Sequence, residues 1–443
     1  MKNPITLGLP WVRRAAAAFA VTLFVSASAS AATIFVAKSG ADAPGCGARH
    51  DSACLTIQYA INSSQPGDHI RIEAGVYSEL LTISQNLTLR GAGREETIID
   101  GAQSGTVVTI NANVTTALER LAIRNGEALF ADGQPNAGGI LNNGTLTLRK
   151  SLVTGNTNNL SPGLSFGLQG GGIENNGVLT IDASDITYNN GHGLCTGGGG
   201  ILNAGSLTIK DSLIAYNTGG IDTAECGSEG SPGISGGTGI YVDGGSMAIS
   251  NSTIMQNDIS GGGFTVSGST FYGSPIEAYH GIAVVNSTFI QSNISAVYYE
   301  GGFDGYVEMS NSTMWDAGII DASDSFQFPP QPMGTIRNSI LASCSGTFAS
   351  GDYNIVASST NCGLAGGAHD LFGVSPDLGP LHHNGGPTET MLPESDSTAI
   401  GGGNPAGCLD GNGNLITIDQ RGFPRPNPAV GRCDVGAVQV EHF

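Results

Sequence analysis

The eleven residues Leu207 to Asn217, LTIKDSLIAYN, return along the chain at changing intervals but in constant internal register, and this limits the fold more than any other feature. Serines equivalent to Ser212 stand at Ser151, Ser184, Ser252, Ser287, Ser312 and Ser339. Three positions before them are Leu148, Ile181, Ile209, Ile249, Val284, Met309 and Ile336; two positions after are Val153, Ile186, Ile214, Ile254, Phe289, Met314 and Leu341. Apolar residues at alternate sites with polar ones between describe short strands with one buried face, each followed by a polar corner. A repeat of 25 to 40 residues made this way cannot bury its own apolar face and must stack on its neighbours. The period of two, the β-branched residues and the 68 glycines exclude helical repeats, and leucine-rich repeats would be more evenly spaced and richer in leucine. What remains is an all-β, right-handed parallel β-helix over residues 32–345, with coils about 4.8 Å apart. Leu148, Ile181, Ile209 and Ile249 then form one interior column. The marker serines bond from coil to coil or to local backbone, and Asn251, Asn286, Asn311 and Asn338 form a similar ladder.

Residues 1–31 read as a signal peptide. Lys2, Arg13 and Arg14 precede an apolar run, Ala15 to Val25, that is too short to span a bilayer, and Ala29-Ser30-Ala31 supplies small residues for cleavage. The mature chain, without a membrane-spanning segment, is expected outside a bacterial cell or on its surface, and as a monomer. Of 17 Lys and Arg, three leave with this segment, so 14 face 37 Asp and Glu, which argues against nucleic acid as a partner. Eight cysteines in an exported chain favour disulfides. Proximity within stacked or terminal segments pairs Cys46 with Cys54, Cys195 with Cys226, Cys344 with Cys362, and Cys408 with Cys433.

Leu55 to Asn62 has helical spacing, Gln65-Pro66-Gly67-Asp68 is a turn, and Ile70-Arg71-Ile72 opens a strand. This passage resembles the N-terminal cap of secreted right-handed parallel β-helix proteins, pectin-acting enzymes among them, and implies a capping helix. The tetrads Gly138 to Leu141, Gly171 to Glu174 and Gly199 to Leu202 each place an isoleucine eleven residues before a marker serine, whereas Ile240 lies twelve before Ser252. With the recurring Asn156, Asn189, Asn217 and Asn257 they are similar to the short repeats of polymorphic outer-membrane proteins. Over residues 346–443, the blocks Leu378 to Pro393, Ser397 to Ile400, Asp419 to Pro426 and Cys433 to Ala437 closely resemble the choice-of-anchor Q module of bacterial surface β-helix proteins. Within it Asp419, Arg421 and Arg425 read as a structural ion pair and turn.

A β-helix hosts lyases, hydrolases, esterases and adhesins alike, so function must come from a site. Asn217 to Asp222 and Gly191-His192-Gly193 are similar to blocks of polygalacturonases. However, Gly219 stands at the middle acid, no Asp-Asp pair follows, and the His block comes first. Inverting hydrolysis needs two opposed carboxylates. From Lys210 to Arg337 no Lys or Arg intervenes while Asp and Glu occur thirteen times, a poor groove for a uronate and for a lyase that needs a basic residue. His369, His382 and His383 lack a metal-binding spacing. The insertions Thr157 to Gly170, Asn190 to Gly198 and Thr218 to Gly237 should emerge at one corner and carry the candidate binding residues His192, Asp222, Glu225 and Glu229. Their acidity suits a cationic or calcium-bridged partner; no other cofactor and no catalytic residue is assigned. The resulting expectation is an exported, adhesin-like protein binding a glycan, envelope or host target. The alternative is a polysaccharide-acting lyase or glycoside hydrolase working on a neutral or cationic glycan.

Overall fold

The computed structural model describes residues 31–128, 137–159, 170–192, 197–219, 238–296, 298–299, 303–321, 333–358, 362–425 and 431–440. One coil shows how the sequence builds the solenoid. Ile201–Asn203, Ser206–Lys210 and Leu213–Ala215 are three short strands on three faces, hereafter the first, second and third face. Each pairs in parallel with its counterpart in the next coil, Ile201 with Ile240, Leu207 with Met247 and Ile214 with Ile254. Alternation decides which side chains point inward: Leu207 and Ile209 are buried, and Ser206, Thr208 and Lys210 are exposed. Leu148, Ile181, Ile209 and Ile249 lie in continuous register and are at most 1% exposed. On the third face Phe271 stacks on Phe289 inside the core, ring centroids 4.6 Å apart. The protein is a parallel β-helix.

Polar ladders hold the corners, because every backbone group turned inward there needs a partner. At the corner between the second and third faces, the N–H of Ser184 donates to Ser212 Oγ at 3.1 Å and that of Ser212 to Ser252 Oγ at 3.1 Å. The series continues through Ser269, Ser287, Ser312 and Ser339. Ser269 belongs to a coil of 17 residues that the expected repeat length passes over. At the corner between the third and first faces, Asn156 Nδ2 donates to Asn189 Oδ1, Asn189 to Asn217 and Asn217 to Asn257, all at 2.9–3.0 Å. Beyond that point Ser274 and Ser292 replace the amides. A third ladder, Asn142, Asn175 and Asn203, stands between the first and second faces.

The Gly-Gly pairs follow from these ladders. A Cβ on Gly139 or Gly172 would meet the Asn156 or Asn189 side chain below 3.0 Å. A Cβ on the preceding Gly138 or Gly171 would meet the Thr157 or Asn190 backbone leaving toward an insertion. Those departing segments stack, since Thr157–Asn159 pairs in parallel with Asn190–His192 and Asn190 bridges Thr218, so the insertions do leave from one corner. The twelve-residue spacing from Ile240 to Ser252 comes from the turn Asp243-Gly244-Gly245. It is one residue longer than Ala204-Gly205, and Gly244 takes φ +69°.

A helix, Ile57–Ser63, covers the N-terminal end of the stack, capped by Thr56 Oγ1 and burying Ile57, Ala60 and Ile61. Cys46–Cys54 and Cys408–Cys433 are disulfide-bonded, and Cys344 is bonded as well. Cys195, Cys226 and the side chain of Cys362 lie outside the described residues. Parallel pairing continues past 345 to Leu371–Phe372. The remaining chain then doubles back along the serine corner instead of extending the stack. This changes the expected asparagine ladder. Asn338 Nδ2 does reach Asn311 Oδ1 at 2.9 Å, but Asn286 and Asn311 donate to the carbonyls of Ile418 and Leu409, and Asn338 also donates to that of Asp434.

The returning segment is locked by polar bonds. Gln420 Nε2 donates to Thr270 Oγ1 and Thr388 Oγ1, each at 2.9 Å, while its Oε1 accepts from Thr288 Oγ1 at 2.6 Å. Asp419 pairs with Arg421 at 2.8 Å and also accepts from the backbone of Arg421, Phe423 and Gln439. Arg425 is 4% exposed and donates to the Gly436 carbonyl; burial pulls its guanidinium down to about 10. All three residues are structural.

Candidate functional site

The residue before each member of the serine ladder, and Arg120 before Leu121 at the same corner one coil earlier, is left-handed. Arg120, Lys150, Ala183, Asp211, Asn251, Gly268, Asn286, Asn311 and Asn338 take φ between +46° and +58°. This region costs an ordinary L-residue about 1–2 kcal/mol, and glycine and asparagine suffer least. From Asn251 onward those two residue types fill the column, and from Gly268 to Asn338 the returning C-terminal segment covers it. Upstream, among the described residues, the returning segment does not reach this corner, and there Arg120 and Lys150 hold the strained positions with exposed side chains.

Beside them, the last outward position of each second-face strand forms another column. Arg71 is in register with Arg90, Arg90 with Glu119, and Glu119 with Arg149. Like charges facing each other across a strand pair are destabilising. Compensation is partial: Arg90 Nε lies 4.0 Å from Glu119, Arg149 Nε lies 3.4 Å from Asp182, and among the described residues neither Arg71 nor Lys150 forms an ion pair. Arg120 folds its guanidinium back one coil to the Ala92 carbonyl, Nε at 3.1 Å.

Together these side chains line three contiguous depressions along the corner, the largest about 1070 Å³. Their walls carry six cations, Arg71, Arg90, Arg94, Arg120, Arg149 and Lys150, against the two carboxylates Glu73 and Glu119, although Arg94 is paired with Asp185 at 2.8 Å and Arg149 with Asp182. In a chain with 37 acidic and 17 basic residues, this is a concentrated reversal of charge. The four coils from Arg71 to Lys150 span roughly 14 Å, about one cationic level per coil. At the capped end His50 Nε2 contacts Glu73 Oε1 within the same depression as Arg71.

The candidate residues read from the sequence fall elsewhere. Asp222, Glu225 and Glu229 lie outside the described residues; His192 ends the stacked strand Asn190–His192, with its side chain undescribed. The calcium reading rests on the same segment. Asp42, Cys46 and Cys54 form the only metal-like cluster among the described residues, but the two cysteines are bonded to each other. Although desolvation opposes it, hydrogen bonds from Thr56 and Leu55 hold Asp42 below the usual carboxylate range, so it serves the helix start. His369 bonds to Asp352 at 2.7 Å and stacks on Tyr353. The cationic corner is absent from the expectations because its residues lie before Lys210, outside the stretch whose charge was weighed, and are spread over some eighty positions. The one available signal was that all six precede the acidic stretch, with Arg71, Arg90, Arg120 and Lys150 at coil-like intervals.

No family model matches the chain, its C-terminal blocks included, and no curated protein matches it. Among solved structures it is similar to the pectate lyase Pel9A, with 16% identity, TM-score 0.39, and coverage of 93% of this chain and 97% of that one. It is also similar to pectin methylesterase from carrot, with 12% identity, TM-score 0.32, and coverage of 68% and 87%. For the PL6 family alginate lyase AlyGC the values are 11%, 0.38, 93% and 60%. Likeness at this level says nothing about activity.

Proposed function

We propose that this protein acts outside the cytoplasm and binds an extended acidic polysaccharide along its cationic corner. The observation that carries the reading is a pair of adjacent columns, Arg71, Arg90 and Arg149 interrupted by Glu119, and beside them Arg120 and Lys150, lining one groove on an otherwise acidic molecule. Stacked arginines suit carboxylates or sulfates because the planar guanidinium forms paired, charge-assisted hydrogen bonds. The disulfides suit an oxidising compartment. This replaces the neutral or cationic glycan favoured by the sequence alone, because that inference weighed only residues 210–337.

The test is titration of the full chain with polygalacturonate and with alginate at rising salt. Binding should weaken steeply with ionic strength, since the groove charges are exposed. A variant carrying Arg71→Gln, Arg90→Gln, Arg120→Asn and Lys150→Asn should lose at least about tenfold in affinity without melting earlier than the parent. Equal binding by the variant would sink the reading.

The contact between His50 and Glu73 favours a second reading, in which the bound polymer is also cut. An imidazole and a carboxylate side by side in a groove are the residue types that general acid–base chemistry uses. Incubation with both polymers, followed for new reducing ends and for unsaturated products, separates binding from cleavage. Activity that survives His50→Asn would reject this assignment.

A further inference from the structure

A second left-handed column stands at the corner between the third and first faces, one residue before the asparagine ladder. Asn125, Gly155, Tyr188, Tyr216, Gln256, Gly273, Gln291 and Asp316 occupy it, with φ from +50° to +62°. Tyrosine is poorly suited to this conformation, so two in succession need a reason beyond local folding. Burial does not provide it, because Tyr188 is 63% exposed and Tyr216 42%. Their rings stack on each other, centroids 5.2 Å apart and planes 10° from parallel. Rings stacked between adjacent coils lie with their planes roughly across the solenoid axis. One face of Tyr188 is therefore taken by Tyr216, and the other points toward the preceding coil.

In that coil the in-register residue is Gly155, which has no side chain to cover the ring. Among the described residues a Cβ there would find a single atom within 4 Å, Asn125 Oδ1 at 3.8 Å. Asn125 sits one coil further on, in register with Gly155. Its Nδ2 donates to Asp100 Oδ2 at 2.9 Å, which fixes the amide and leaves Oδ1 directed at the gap. The same carboxylate takes Arg124 Nε at 2.8 Å, so the nearby cation is already neutralised. Two coil steps, about 9.6 Å, separate the levels of Tyr188 and Asn125, room for one flat ring between them.

We infer that this gap, floored by Tyr188 and faced by Asn125, is a binding site for one pyranose ring of a neutral glycan. The aromatic face offers a surface for the axial C–H bonds of a sugar, and Asn125 Oδ1 accepts from an equatorial hydroxyl. A polyanion is disfavoured because Arg124, the cation next to Asn125, is already paired with Asp100. The site lies on a different corner from the cationic groove and does not depend on it.

The full chain is titrated calorimetrically with cellohexaose, laminarihexaose and mannohexaose. At least one should bind saturably. Tyr188→Asn should weaken that binding at least about tenfold, whereas Tyr188→Phe, which keeps the ring, should stay within about threefold. Gly155→Asn, which fills the gap, should weaken it as Tyr188→Asn does. Asparagine suits a left-handed position, so neither variant should melt earlier than the parent. Polygalacturonate affinity should not change in any of them. The inference fails if none of the three sugars binds up to the millimolar range, or if both asparagine variants bind like the parent. It also fails if these variants lose polygalacturonate binding, which would make the two corners one site.

Discussion

Ser212 Oγ accepts the backbone N–H of Ser184 at 3.1 Å and donates to the Lys210 carbonyl at 2.6 Å, so one hydroxyl joins two coils while closing its own corner. Ser212→Ala leaves the buried Ser184 N–H without an acceptor. The expected loss is about 1–3 kcal/mol by urea denaturation. Ile209→Ala, which empties an interior position in the same coil, should cost more, roughly 2–5 kcal/mol. A serine variant as stable as the parent would mean that the corner relaxes to find another acceptor.

Lys150 holds a left-handed position at φ +51° and has no ion-pair partner among the described residues. Lys150→Asn should therefore stabilise the fold by a few tenths to about 1 kcal/mol while weakening binding of acidic polymers. Thermal melting and polymer titration on the same sample check both halves. A variant that gains stability and keeps full affinity would show that this corner cation is incidental.

Glu174 is 3% exposed, its Oε1 accepts from Asn176 Nδ2 at 3.2 Å, and its Oε2 has no partner. Burial pushes its carboxyl up to about 7 from an ordinary 4.5. An unfolded chain releases this proton near 4.5. Its contribution to native stability is therefore highest below that pH, declines as pH rises toward 7, and levels off above it. The full loss is of the order of 3 kcal/mol. Glu174→Gln should remove the decline, so the variant gains on the parent at pH 8 and not at pH 4. Parallel denaturation curves at the two pH values test the sign.

Gln420 is 2% exposed and bonds to Thr270, Thr288 and Thr388, joining two coils to the returning segment. Gln420→Leu leaves several buried polar groups unpaired, a cost of about 1–3 kcal/mol each before relaxation. Hydrogen exchange should quicken over residues 380–440 and not in the column containing Ile209. Uniform quickening along the whole chain would mean that the segment is part of the solenoid's own cooperative unit.

Alternation and composition were enough to determine the solenoid. Inward positions such as Leu148 and Ile209 repeat at two-residue spacing within a strand, and burial of one face leaves a small set of foldable solutions. The helix over Ile57–Ser63 and the Cys46–Cys54 and Cys408–Cys433 bonds were legible for the same reason, since each depends on residues close together in sequence or in one module. The 17-residue coil ending at Ser269 was not, because it lacks the Gly-Gly-Ile tetrad and uses Ser274 where other coils use asparagine. Only the tertiary structure decided which side chains share a corner. Coil length varies with each insertion, so Arg71, Arg90, Arg120 and Lys150, like Asn125, Gly155 and Tyr188, have no common period, and stacking alone sets them one coil apart. Nor does a sequence announce that a lysine or a tyrosine takes a positive φ, since that strain is imposed by the ladder residue that follows it. The doubling back of residues 378–440 along the serine corner was equally hidden, because its bonds run between residues more than ninety positions apart.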